Sequence, residues 1–314
     1  MPQPPTATEN RSYAAAHFAL ELDGKDNVGL FRSIEGGGVK AEIMTHQNGT
    51  NYERWRQLGK PKFEDIKLQV GMAMSEPFYA WIANFFTGNA VRKSGAIVAA
   101  DFYYKERARR EFTAAMIKEL TFPKLEGHDG NAVYMTIGLS VEGVVFKKCD
   151  GHALPQPAGF NRQKLWTARN FRFHVDGFEA ACHRITKIES FTVKQNVLEY
   201  HMGGQKAPTK TPSQIDWPTI VFHVPEADAQ PFFDHVTKRM INDGDMPGRL
   251  HGMLQTYDNG KKDLFTLEFF NADIISVTPD KSDAGTDEHK MVKVEMYTER
   301  MSFAYAPTTP AKTV

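Results

Sequence analysis

The chain has few cysteines, no net charge and no long apolar run, and each of these absences excludes a class of protein. Its 314 residues include only Cys149 and Cys182, too few for a disulfide framework, so we interpret both as small, partly buried side chains. Lys plus Arg and Asp plus Glu each number 38, which excludes a global basic surface for nucleic acid or anionic membrane. No segment approaches the roughly 18 apolar residues of a membrane-spanning helix, so no membrane insertion is expected.

Signals for secretion and for chemistry are also scarce. Residues 1–15 lack the basic start and apolar run of a signal peptide; they predict a flexible arm, with folding in the producing cell's cytoplasm. No nucleophile lies beside a base and no carboxylates are paired, so we expect no enzyme, no catalytic residue and no cofactor. Cys182-His183 and nearby His174 lack a second pair at zinc-site spacing, so no metal is expected. The run of glycines at 36–38 lacks the Lys-Ser/Thr of a phosphate-binding loop and indicates a tight turn.

The clearest positive feature is an internal repeat. Six segments of the first half recur in order in the second half, with offsets that drift as loop insertions would cause. The matches are 18–24 with 171–177 (offset 153), 34–40 with 188–194, 66–70 with 220–224 and 77–81 with 231–235 (offset 154), 133–139 with 291–297 (offset 158), and 142–146 with 299–303 (offset 157). The pattern predicts a first domain over 16–150, a linker over 151–168, a second domain over 169–306 and a tail over 307–314.

Each copy shows the same predicted order of elements. Two strands are followed by a long polar excursion (44–62 and 199–216) and a third strand (63–70 and 217–224). Next comes a helix with an apolar stripe, capped by Ser75 in copy one and by Asp228 in copy two. The stripe of the second helix is predicted to comprise Phe232, Phe233, Val236 and Met240. Period-two strands fill the rest, at 97–104, 112–122, 132–139 and 144–146, and at 250–257, 264–270, 274–277, 291–297 and 301–305. This pattern indicates a mainly β fold with one helix per domain, a β-sandwich or small barrel.

With these elements placed, the chain resembles the tail tube proteins of contractile phages and related contractile injection systems, and is similar to the type VI secretion inner tube. The resemblance rests on the order of strands 171–176 and 188–193, a Gly/Lys-rich loop after Glu199-Tyr200 that ends in Pro, strand 220–224, the Pro-Phe-Phe helix start at 231–233, and the closing strands 292–297 and 301–303. Copy one carries the same order.

The resemblance implies six-fold rings that stack into a tube and conduct DNA or protein, located in a virion tail or injection particle. It implies that the excursions form hairpins that contact neighbouring subunits, and so names as assembly residues Asn48, Trp55, Lys60, Glu199, Tyr200, Lys206 and Lys210. Expected partners are further copies of the chain, as a trimer forming a pseudo-hexameric ring or as a hexamer, and tube, sheath or baseplate proteins. Deleting 199–216 is expected to leave each domain folded and to abolish stacking.

Alternatives remain open from the sequence. The usual tube subunit has one domain, so this two-domain chain could instead be a baseplate hub or tube-adaptor ring. A soluble ligand-binding β-barrel or an enzyme is an alternative of another class. The basic run 105–110 could face a lumen, although such a run is more often a solvated or ion-paired surface.

Overall fold

The structure of the protein, a computed structural model, describes residues 17–47, 49, 54–149, 151–154, 166–203, 207–241, 249–280 and 289–305. The predicted arm, the tail and most of the predicted linker lie outside these residues. The first half contains β1 (His17–Leu22), β2 (Lys25–Phe31), β3 (Ser33–Gly36), β4 (Val39–Gln47), β5 (Arg54–Phe63), β6 (Ile66–Val70), α1 (Glu76–Phe86), β7 (Lys93–Ala100), β8 (Glu106–Phe122), β9 (Leu125–Glu126), β10 (Met135–Ser140) and β11 (Gly143–Lys148). The second half contains β12 (Phe171–Val175), α2 (Glu179–Cys182), β13 (Lys187–Ile188), β14 (Phe191–Tyr200), β15 (Thr209–Asp216), β16 (Ile220–Pro225), α3 (Gln230–Ile241), β17 (Leu250–Tyr257), β18 (Asp263–Pro279), β19 (Met291–Tyr297) and β20 (Arg300–Tyr305).

The strands of the two halves pair in the same order. In the first half the order is β1-β7-β8-β10-β6-β3, with β11 also paired to β8. In the second half it is β12-β17-β18-β19-β16-β13, with β20 also paired to β18. Each half adds a hairpin, β4–β5 or β14–β15. The mainly β fold expected from the sequence is confirmed. The halves differ where β2 lies in the first and the one-turn helix α2 in the second, an element that the sequence pattern missed.

The correspondence extends to single residues. In the first half Ile137 pairs with Leu120, and in the second half Val294 pairs with Val277, so both strands of the pair are displaced by 157. Left-handed φ angles recur at the same offset, at Tyr104 and Lys261 and at Ala114 and Asn271. The offset of 158 that the sequence predicts for the strand before the last (133–139 with 291–297) is therefore wrong by one residue.

One close approach of the backbone occurs in both halves and requires glycine. Gly95 pairs with Phe112, and Gly252 pairs with Phe269. A Cβ at Gly95 would lie 2.0 Å from the carbonyl oxygen of Glu21 and 2.9 Å from the ring of Phe112. A Cβ at Gly252 would lie 2.7 Å from the carbonyl oxygen of His174, so glycine in both halves leaves room for the backbone of the neighbouring strand.

The helix boundaries correct two details of the sequence interpretation. α1 begins after Ser75, as expected, but the Ser75 side chain makes no capping hydrogen bond. Asp228 was expected to cap the second helix. Asp228 instead ends a 3₁₀ turn and contacts Arg184 with an Nε–Oδ2 distance of 3.2 Å, and α3 begins two residues later.

Several predicted strands also have different limits. The excursion 44–62 is a β-hairpin whose second strand ends at Phe63, and β6 is a separate strand. β8 and β18 are each continuous over 17 residues, whereas the sequence predicted a break between 270 and 274. β18 has no break there, because Asn271 takes a left-handed conformation that produces a bulge without ending the strand.

The halves share one apolar core. Phe122 of β8 stacks on Phe191 of β14 with ring centroids 5.0 Å apart. Phe86 of α1 stacks on Phe303 of β20 at 6.0 Å, and Tyr79 stacks on Tyr305 at 3.8 Å. α1 therefore covers not only its own half but also the last strand of the other. In the part of the chain that the structure describes, no helix has the length and apolar character needed to cross a bilayer.

Candidate assembly interface

The second hairpin lies on the first half of its own chain. Residues 191–194 of β14 pair antiparallel with 119–122 of β8, which has β10 on its other side. The hydroxyls of Thr121 and Thr192 are 2.9 Å apart. The hairpin therefore extends the sheet of the first half, and strand addition of this kind supplies main-chain hydrogen bonds along an otherwise open edge.

A buried lysine fixes the outer strand of this hairpin. Lys210 Nζ lies 3.0 Å from Ser140 Oγ and 3.6 Å from Asp65 Oδ1, and Lys118 Nζ lies 2.6 Å from Asp65 Oδ2. Burial acts to raise the pKa of Asp65, but its contacts with these two lysines and Ser140 outweigh burial and hold that pKa below its ordinary value. The Lys210 backbone N–H donates to Glu142 Oε1 at 2.8 Å, and Arg92 donates to the Lys210 carbonyl.

The first hairpin has no such support. Every residue of β4 is exposed, and β4 pairs only with β5 among the described strands. Trp55 is 69% exposed. The two hairpins nevertheless have one register, because Ile43↔Leu58 corresponds to Val197↔Pro212 at an offset of 154 and each hairpin has its irregularity directly before that pair. The same local structure thus pairs with a further strand in one half, whereas in the other no described strand pairs with it.

The second half also has an open sheet edge. Residues 273–279 of β18 pair with β19 on one side, and no described strand pairs with their other side. The corresponding edge of β8 is the one that carries β14. An unpaired edge of this kind is a ready template for another strand.

The residues predicted to mediate assembly fall into three groups. Trp55 and Lys60 are exposed on β5, and Glu199 and Tyr200 are exposed at the end of β14. Lys210 is buried and binds the first half of the same chain. Asn48 and Lys206 lie outside the described residues. The sequence reasoning missed the open edge of β18 and the exposed side chains Val39, Phe146 and Met240. Comparison of the two halves residue by residue is the signal that finds them.

In the basic run, Arg107 and Arg109 form ion pairs within the chain and Arg110 forms a hydrogen bond. Arg107 Nη2 lies 2.7 Å from Asp101. Arg109 lies 2.6 Å from Glu21 and 2.7 Å from Glu106. Arg110 donates to the carbonyl of Gly36 at 3.2 Å. These arginines are therefore paired within the chain, as the ion-paired alternative expects.

The thiols and the histidine cluster offer little chemistry. Burial, and then the neighbouring Glu106, raise the pKa of Cys149 to about 11, and burial raises the pKa of Cys182 to about 11, so both are neutral thiols at pH 7. His174, Asp176 and Glu179 have ligand atoms within 4.8 Å of one another. This group includes neither Cys182 nor His183, and its two acidic residues are exposed.

Comparison with known proteins agrees with the resemblance seen in the sequence. Residues 14–145 match the family model described as T4-like virus tail tube protein gp19, which confirms the resemblance to tail tube proteins for the first half of the chain. No curated protein matches the chain by sequence.

Several solved structures are similar to part of the chain. One belongs to the PVC sheath–tube complex of an extracellular contractile injection system (15% identity, TM-score 0.36, covering 44% of this chain and 89% of that one). Another belongs to the tube-terminating cap of the anti-feeding prophage (15% identity, TM-score 0.32, covering 44% and 89%). A third is the Hcp1 protein of E. coli EAEC 042 (17% identity, TM-score 0.23, covering 37% and 73%).

Proposed function

We propose that this tail-tube-like chain is a ring-forming structural subunit of a phage tail tube or contractile injection system tube, and that its two halves are copies of one domain. The observation that carries the proposal is the shared pairing order and register of the two halves, joined to the tail tube match over residues 14–145. If one half is a tail tube domain, the other half has the same strand plan and can occupy the next position of a ring.

The proposed role is passive. Three chains would supply six domains, a ring with pseudo-six-fold symmetry around a lumen that conducts DNA or protein. Tube, sheath or baseplate proteins would be its neighbours in the particle. We assign it no catalytic role, because the tail tube family is structural and the chemistry of the assembly surfaces is that of strand pairing and apolar contact.

Electron microscopy and native mass measurement of the purified full chain test this proposal. We expect closed particles of three chains whose class averages show six similar lobes around a central opening. Stacks of such rings would favour the main tube, whereas single short rings would favour the hub or adaptor role. A particle that stays a single chain over a wide concentration range would contradict the proposal.

A further inference from the structure

We propose that the first hairpin of one chain pairs with the open edge of β18 in a second copy, in the register of β14 on β8, while Phe146 of the first chain packs on Met240 of that copy. This inference rests on the proposed ring and specifies the surfaces that build it. Its basis is that one such contact between halves occurs within the chain, where β14 pairs with β8. The equivalent surfaces on the other side of each half are exposed.

The backbone pairing follows from the offsets between the halves. Within the chain, Val193 of β14 pairs with Leu120 of β8. The equivalents are Val39, displaced by 154, and Val277, displaced by 157. We therefore expect Val39 of one chain opposite Val277 of the next, and Lys40 opposite Ser276. Pro279 lacks a backbone N–H, so the new pairing ends before it.

Burial at equivalent positions indicates that this contact is missing from the single chain. Val193 is fully buried under the first half, whereas Val39, the same residue type at the equivalent position, is 49% exposed. A solvated edge strand with exposed Val, Ile and Met side chains is unfavourable unless another strand covers it. A second copy offers the matching edge.

The helix contact repeats in the same way. Phe86 of α1 stacks on Phe303 of β20 within the chain, and Phe303 is only 6% exposed. The equivalents are Met240 of α3 and Phe146 of β11, which are 68% and 57% exposed. One face of the Phe146 ring is covered by the Arg110 guanidinium at 5.5 Å. Met240 of the second copy would cover the opposite face, and methionine suits such contact with an aromatic ring.

Polar partners are preserved at the outer strand. Arg92 and Glu142, which hold the backbone of Lys210, correspond to Arg249 and Glu299, and Lys210 corresponds to Arg56. Arg249 and Arg56 are exposed. We expect Glu299 of the second copy to accept from the Arg56 backbone N–H and Arg249 to donate to its carbonyl. The carboxylate and the guanidinium thus keep the roles they have inside the chain.

The geometry makes the assembly directional. The first hairpin and β11 form one surface, the edge of β18 and α3 form the other, and both occur on every chain. Such a heterologous contact repeats head to tail until it closes. If the rotation that relates neighbouring chains across this contact equals the rotation that relates the two halves within a chain, three chains close the ring. Neither surface then remains exposed.

Cysteine cross-linking of the full chain tests the register. In a background with Cys149→Ser and Cys182→Ala, we expect Val39→Cys with Val277→Cys to give disulfide-linked dimers and trimers under mild oxidation. The matched control, Val39→Cys with Thr278→Cys, shifts one side chain to the opposite face of the sheet and should cross-link at least about tenfold less. Rings that form without the 39–277 cross-link would overturn this interface and leave the proposed function standing. A chain that never assembles would overturn both.

Charge substitution tests the helix contact. Met240→Glu and Phe146→Glu each place a charge on an exposed position, so the fold should persist by circular dichroism while the concentration for half-assembly rises about tenfold or more. The control is Phe102→Glu, which changes an apolar ring that is 75% exposed and lies outside both surfaces. Equal effects of all three substitutions, or no effect of the first two, would overturn the contact.

Discussion

An ionic cluster in the second half replaces apolar packing in the first. Asp273 lies 2.7 Å from His235 Nε2 and 2.6 Å from Arg239 Nη2. The equivalent residues of the first half are apolar, namely Met116, Trp81 and Phe85. Burial acts to raise the pKa of Asp273, but its hydrogen bonds to His235 and Arg239 outweigh burial and hold that pKa below its ordinary value.

We expect Asp273→Asn to lower the free energy of unfolding at pH 7 by about 1–3 kcal/mol, because it leaves the Arg239 charge without its carboxylate. The folded pKa lies below the unfolded value, so the carboxylate's contribution is complete above about pH 4 and is lost as the pH falls through the folded pKa. Urea unfolding of the two proteins should therefore differ at pH 7 and converge under acid conditions.

The control for this substitution is Asp234→Asn, on an exposed carboxylate of the same helix. It should change the unfolding free energy by no more than about 0.5 kcal/mol. A difference between the parent and Asp273→Asn that grows as the pH is lowered would contradict the assigned direction of the pKa shift.

The same cluster explains an error of the sequence pattern. Met240 was predicted to lie in the apolar stripe of the second helix, and Phe232 does lie in the core. Met240 is exposed instead, while the polar His235 and Arg239 face Asp273. A hydrophobicity pattern assigns charged residues to the solvent-exposed face of a helix. It cannot predict that Asp273, on a strand 34 residues beyond Arg239, binds this side chain.

At the scale of elements, the two hairpins are alike in register and unlike in environment. The deletion of 199–216 was expected to leave each domain folded and to abolish stacking only. The structure indicates that this deletion would also lower the stability of the chain. Residues 199–216 contain all of β15 and the buried Lys210, which binds Ser140 of the first half. The equivalent part of the first hairpin is exposed.

We therefore predict that matched truncations of the two hairpins differ in their effect on the thermal midpoint. Replacing 43–58 by Asn-Gly should abolish assembly. At a dilution at which the parent is also a single chain, the thermal midpoint should stay within about 2 °C of the parent, because this segment pairs with no other described strand. Replacing 197–212 by Asn-Gly should lower the midpoint by several degrees, since about 1–3 kcal/mol is lost with the polar contacts of Lys210. Circular dichroism melts measure both. Equal midpoints for the two truncations would show that Lys210 does not stabilise the chain.

The element pattern was predictable where alternation is uninterrupted. Strands β17 and β19 have the predicted limits, Leu250–Tyr257 and Met291–Tyr297. The residue pattern indicates the first hairpin only as a polar excursion, and its hairpin form follows from the family resemblance, because every residue of β4 is exposed and the strand carries no period-two signal. The limits of β8 and β18 were missed because bulges at Ala114 and Asn271 shift the alternation without ending the strand.

At the scale of the molecule, the halves are held together by tertiary contacts as well as by the chain. The β8–β14 pairing, the Phe122–Phe191 stack and the contact of α1 with β20 all cross between the halves. The order of the strands and the resemblance to tail tube proteins were legible in the sequence. The contacts between the two halves could not be predicted from the sequence, because the residues that form them are far apart in the chain and few are identical at equivalent positions of the two halves.

We predict that the halves stay associated after the connection between them is cut. A protease site inserted within residues 155–165 of the full chain, once cleaved, should leave both fragments co-eluting from a sizing column at neutral pH. Their interface has the continuous sheet and stacked aromatic rings typical of a domain core rather than of a transient contact. Adding Tyr305→Ala should weaken the cleaved pair, because it removes the ring that stacks on Tyr79 at 3.8 Å. Fragments that separate without this substitution would show that the connection, rather than the shared core, orders the two halves. The intrachain contact could then not serve as the template for contacts between chains.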